Sequence, residues 1–263
     1  MPRFADFYTR GTLKIKKHGI QRVLREEIRK EFWLERTMAE THLHNAAYTP
    51  EPYPSYSRRE RIADFAMHAT GVLGGLIASI LLVRFVAVQG EAGATFSTLV
   101  YCFAVMFSFV VSACYHFTPV EDYRHLFQRW DHAAIFLKIA GTYTAMVMII
   151  GGDFSFFVLG IVWALSIGGM VWKVAYWTEP NWRSTLLYLG LGWGAIVLAY
   201  PLIANLPWMS SAFVGVGAVM YTLGTFFYSA VHLRYSMAIW HFCVLLATAS
   251  FMVAIWIARG GGM

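Results

Sequence analysis

A chain of 263 residues that is 58% hydrophobic, 17% aromatic and only 14% charged is not an ordinary soluble domain, which carries about 25% charged and about 45–50% apolar residues. The formal net charge of +6 is modest, and without a recognisable binding motif it excludes nucleic acid as a partner. The basic residues gather in the N-terminal tail and at the ends of apolar stretches, which suits anionic lipid headgroups.

Residues 1–61 read as a basic cytosolic extension. They hold no apolar core of the kind a cleavable signal peptide needs. Between Lys16 and Glu40 the residues Ile20, Val23, Leu24, Ile28, Phe32 and Trp33 recur at helical spacing, and Glu26 can pair with Lys30 at i,i+4. This predicts an amphipathic helix lying on the membrane surface; a solvated helix against the adjoining loops is the alternative. The stretch TPEPYPS at 49–55 reads as a proline-containing linker.

Residues 62–263 read as a membrane domain. Apolar segments fall near 63–86, 95–117, 131–150, 154–174, 185–204, 211–230 and 237–257. Each has about 20 residues, the length a helix needs to cross roughly 30 Å of hydrocarbon. The expected fold is an all-α integral membrane bundle of seven transmembrane helices. Arg124, Arg129, Lys173, Arg183 and Arg234 fall on the same side as the N-terminal tail, and the opposite side keeps little beyond Arg84 and Arg259. That asymmetry predicts a cytoplasmic N-terminus, an outside C-terminus and residence in the cell (inner or plasma) membrane. Loop placement is expected for His125 and His232, and close helix contact at Gly141.

Polar and ionisable groups are costly inside hydrocarbon and mark candidate sites. Ser112 and His116 lie four apart and share one helix face, as do Asp131 and Lys138, seven apart. The seven-span order puts His68, Ser112, His116, Asp131, His132 and His241 at one depth, near the cytoplasmic face. Imidazole and carboxylate groups there suit a divalent transition metal, zinc before others, with an open position for water. Ser112 could donate to a developing oxyanion, and Asp131 could hold the water or act as its base. Cys102, Cys114 and Cys243 form no CxxC pair and read as buried small hydrophobes.

The blocks SACYH (112–116), WDHAAIFLKIAGTYT (130–144) and AIWH (238–241) resemble the three signature blocks of the haemolysin III family. That family lies within the superfamily of progestin and adipoQ receptors and ceramidase-like membrane hydrolases. HATGVLGG (68–75) and YLGLGW (188–193) are further echoes, and the resemblance covers about residues 60–257. It implies zinc held by the histidine of S-x-x-x-H and two histidines of H-x-x-x-H in the last span. By this resemblance His116 and His241 are zinc ligands, Asp131 binds through water and Ser112 lies alongside.

The chain departs from that pattern at two positions. Met237 occupies the place of the first histidine of H-x-x-x-H, and a thioether is a poor zinc ligand. Phe251 occupies the place of a further histidine. Either His68 supplies the third nitrogen, or Lys138, at a position usually apolar in the family, provides positive charge beside Asp131 in place of a metal. His132 is a capping or orienting candidate. The resemblance implies a zinc-dependent hydrolase of an amide or ester bond in a membrane lipid. A non-catalytic lipid-state sensor is the alternative, and a pore or transporter with cytolytic action is the third.

Overall fold

The computed structural model describes residues 56–176, 182–230 and 232–261, together with Arg29, Lys30 and Trp33. The chain divides into two units, Met1–Ser55 and Tyr56–Met263. In the first, Arg29, Lys30 and Trp33 are helical and exposed; the rest of the expected amphipathic helix and the 49–55 linker lie outside the described residues. The second unit is all helical among the described residues: α1 (Arg58–Ala87), α2 (Ala92–Phe117), α3 (Glu121–Ile150), α4 (Asp153–Ala175), α5 (Trp182–Trp193), a 3-10 turn (Gly194–Leu198), α6 (Ala199–Asn205), α7 (Trp208–Ser229) and α8 (Ser236–Ala258). Seven helical spans are long and apolar enough to cross a membrane, with α5, the 3-10 turn and α6 forming the fifth. The protein is a seven-span α-helical membrane protein.

Helix α1 begins where the sequence SRRE provides a capping box. The Glu60 amide donates to Ser57 Oγ at 3.3 Å, and the Ser57 amide donates to Glu60 Oε2 at 2.9 Å. The other oxygen of Glu60 accepts the backbone N–H of Tyr235 at 3.2 Å. Tyr235 precedes α8 in the left-handed region, at φ 61°, where a β-carbon is crowded. One carboxylate thus starts α1 and ties it to the entry of α8.

The fifth span breaks for an identifiable reason. Pro201 lacks an N–H and its ring collides with the carbonyl four residues back, so a regular helix cannot run through residue 197. The turn tightens to 3-10 over Gly194–Leu198. Tyr143 of α3 donates its hydroxyl to the carbonyls of Leu191 and Gly192, at 3.0 and 3.3 Å, beside the break.

Spans α2, α3 and α8 carry most of the buried core, including Tyr101, Val105, Met146, Val147, Ala254 and Ile255. The outward faces keep large apolar side chains such as Leu73, Ile77, Ile80, Phe103 and Phe157 exposed, which is the surface lipid covers. Between α2 and α3 the backbones meet at Gly141, where an added β-carbon would stand 2.8 Å from that of Ala104. Small residues permit such approaches in bilayers, where packing rather than the hydrophobic effect joins helices. Side-chain bonds to backbone reinforce the core: Tyr101 donates to the Thr248 carbonyl at 3.2 Å and Ser210 to the Ala254 carbonyl at 2.8 Å.

Three expectations change. The third helix starts at Glu121, ten residues before the expected span, because α3 extends beyond its apolar stretch. Asp131 therefore lies inside α3 and His125 is helical, whereas His232 stays in a turn. Lys173, expected to serve as a boundary charge, is fully buried; its ammonium donates to Ser184 Oγ at 2.8 Å and lies over the Trp172 ring.

Candidate metal centre

The site lies where the starts of α1 and α8 meet the end of α2. Asp64 and His68 stand one turn apart on α1 and so share a face, with both side chains buried. His116 comes from the last turn of α2 and His241 from the second turn of α8. The three imidazoles pack in a triangle, with ring centroids 4.7 Å apart for His68 and His116, 4.1 Å for His68 and His241, and 4.8 Å for His116 and His241.

Asp64 holds that triangle together. Its Oδ2 lies 2.9 Å from His116 Nδ1, and its Oδ1 lies 2.7 Å from His241 Nδ1. Its backbone carbonyl lies 2.9 Å from His68 Nδ1. Each Nδ1 thus faces an oxygen that can only accept, which assigns the proton to Nδ1 and leaves Nε2 as the acceptor nitrogen of each ring. Ser112 Oγ, one turn before His116, lies 3.3 Å from His68 Nε2 and is the donor of that pair in this tautomer.

Asp64, His68, His116 and His241 can each offer one ligand atom, and these atoms all lie within 4.8 Å of one another. Three nitrogens and one carboxylate, buried except for a part-buried His241 and without a thiolate, fit a divalent metal ion. The carboxylate can serve as a ligand itself or as the partner that orients the imidazoles. Cys114 and Cys243 are not members of this group.

A cavity of about 110 Å³ opens from the cluster and is lined by His68, Ser112, Asp131, His132, Lys138 and His241, among others. Asp131 faces Ser112 and lies within electrostatic reach of Lys138 and His116. Lys138 makes no direct ion pair with it; the ammonium lies 4.5 Å above the Phe109 ring, among the described residues. His132 is buried in the wall. Met237 is half-buried in the first turn of α8 and does not line this cavity. Phe251 packs where Gly217 leaves room and stacks on Tyr221 at 6.1 Å.

The residues that the seven-span order places at one depth therefore divide into two groups. His68, His116 and His241 are in mutual contact, with Ser112 beside His68, whereas Asp131, His132 and Lys138 line the cavity that opens from them. Asp64 is the residue that reading the sequence missed. It is the second residue of the first apolar segment. Its spacing of four from His68 was the available signal.

Three signature blocks folded into one chamber across seven spans agree with a family-level match. The family model described as "Haemolysin-III related" matches residues 57–252. The chain belongs to the haemolysin III family. Among its relatives, the "Hemolysin-3 homolog" of Bacillus subtilis (strain 168) is 30% identical over 201 residues, 76% of this chain and 94% of the relative. The "Hemolysin-3" of Bacillus cereus is 32% identical over 192 residues, 73% of this chain and 88% of the relative. For this haemolysin III protein the shared region begins at the capping box of α1 and ends within α8, so it contains the whole candidate metal-binding group.

Proposed function

We propose that this haemolysin III protein is a metal-dependent hydrolase, with zinc as its ion, acting on an amide or ester bond of a membrane lipid. The observation that carries this reading is the buried group of one carboxylate and three imidazoles opening into a cavity with a second carboxylate and a hydroxyl. A bound divalent ion supplies Lewis acidity and lowers the pKa of a coordinated water. Asp131 faces Ser112 in the cavity beside the cluster, where it would accept the proton of the attacking water. The Ser112 hydroxyl donates to the oxygen that develops charge at the lipid carbonyl. Asp64 keeps His116 and His241 in the tautomer that presents Nε2. The low exposure of His68, Ser112 and Lys138 in this chamber lowers the effective dielectric and strengthens these interactions.

The excess of arginine at the ends of the spans supports a cytoplasmic site and N-terminus, with the C-terminus outside, in the cell membrane. Metal content of the detergent-purified protein tests the centre. Near-stoichiometric zinc is expected in the wild type and its loss in both His116→Ala and His241→Ala. Zinc retained in both variants removes the proposed ligand set.

One observation favours a second reading, a non-catalytic sensor of lipid state. The hydrogen bonds that His116 and His241 donate to the Asp64 carboxylate link α1, α2 and α8 as a structural lock would. Comparing the lipids of cells with and without the protein separates the two readings, because only a hydrolase depletes a substrate class and accumulates its fragments.

A further inference from the structure

Lys138 is a charged group in this chamber that the proposed chemistry does not use. It is 6% exposed, and its ammonium has no hydrogen-bond partner among the described residues. Burying a charge without a partner costs several kcal/mol, so a position that keeps one implies a ligand or a compensating field. What surrounds it is aromatic: the ammonium lies 4.5 Å from the Phe109 ring centroid and 5.5 Å from that of Tyr221. Cation–π contacts offset part of the desolvation and aim the group without neutralising it.

Its position explains what it faces. A second cavity, of about 170 Å³, adjoins the first, and Ile135, Lys138, Tyr188, Tyr221, Thr225 and Trp240 line both. The second cavity is otherwise largely apolar, with Ile139, Met146, Leu198, Val214 and Phe251 in its wall. Trp193, also in its wall, is 47% exposed. The ammonium thus sits where a polar chamber meets an apolar one. The charges facing it are the Asp131 carboxylate of its own helix and the imidazole of His241 across from it. The Asp131 carboxylate makes no hydrogen bond to the ammonium, so among the described residues the donors of Lys138 remain unsatisfied.

We infer that Lys138 is the seat for the anionic head of a single-chain lipid, a carboxylate or a phosphate, whose tail occupies the apolar cavity. This rests on the reading of the two cavities as a lipid site and specifies the class of lipid they accept. An uncharged head leaves the ammonium buried and unpaired, so the site discriminates against it. A charge-assisted hydrogen bond at such a position corresponds to about 10–100-fold in affinity.

The test is binding to the full chain in detergent of three probes with the same tail: hexadecanoate, hexadecyl phosphate and methyl hexadecanoate. The wild type is expected to bind one or both anions about 10–100-fold more tightly than the ester. Lys138→Met should erase that preference and leave ester affinity within about twofold, which also reports an intact cavity; Lys138→Arg should keep it. The stronger of the two anions identifies the head. A wild type without preference, or a Lys138→Met variant that retains it, overturns the assignment. Should Lys138→Met fail to fold, Lys138→Gln takes its place under the same criteria. The combined His116→Ala, His241→Ala variant separates this result from the hydrolase reading. A preference surviving there supports Lys138 whether or not any lipid is turned over, and one lost there but kept in Lys138→Met assigns the anion to the histidines.

Discussion

Replacing Asp64 with alanine is expected to lower metal affinity by about 10–100-fold, the usual effect of losing a residue that orients metal ligands, and by more where the carboxylate is itself a ligand. The reason is geometric. Two imidazoles are held through Nδ1 by the two oxygens of one carboxylate, at 2.9 and 2.7 Å. Removing it frees both rings to change tautomer and orientation. It also leaves two buried Nδ1 donors without acceptors, and hydrogen bonds to charged groups contribute about 1.5–3 kcal/mol each. Metal content after equilibration with a graded chelator measures the first effect, and thermal unfolding in detergent measures the second. Asp64→Asn should fall between wild type and Asp64→Ala, because an amide offers one accepting oxygen where the carboxylate offers two. Adding Met237→His to Asp64→Ala is expected to recover part of the lost metal, since residue 237 lies one turn before His241 on the same face. Wild-type metal affinity in Asp64→Ala would remove this residue from the centre.

Asp131→Asn is expected to abolish lipid turnover while leaving the metal in place. Asp131 is not in the metal-binding group but lines the chamber that opens from it, facing Ser112. As the proposed proton acceptor it contributes about 10²–10⁴-fold to rate, and an amide cannot accept that proton. Ser112→Ala removes a single donor to the developing oxyanion and should cost about 10²–10³ in turnover. The informative comparison pairs turnover on a candidate lipid with metal content of the same preparations. Turnover lost with metal retained supports the division of labour between the histidine triangle and the cavity that opens from it. Metal lost in Asp131→Asn would instead make Asp131 part of the centre.

The legible and the illegible parts of this molecule follow from the range of the signals that encode them. Hydrophobic segments of about 20 residues are local, and each span could be located from its own residues. The start of α3 could not, because the residues from Glu121 to Trp130 are polar enough to read as a loop. The burial of Lys173 was equally hidden, since nothing near it in sequence shows that Ser184, from the next span, accepts its hydrogen bond. The replacement at Met237 was visible at once, but the group that accompanies the remaining imidazoles was not.

The sequence by itself determined the seven spans, the family, and the levels of His68, Ser112, His116, Asp131 and His241, because helical rise and span order fix depth. Only the tertiary structure decided which groups touch. Rotation of a helix about its axis is set by packing: the Gly141 contact joining α2 to α3 and the bond from Tyr235 to Glu60 joining α8 to α1. Those contacts turn Asp64 toward His116 and His241 and leave Lys138 facing a cavity, and no periodicity within a single helix records either outcome.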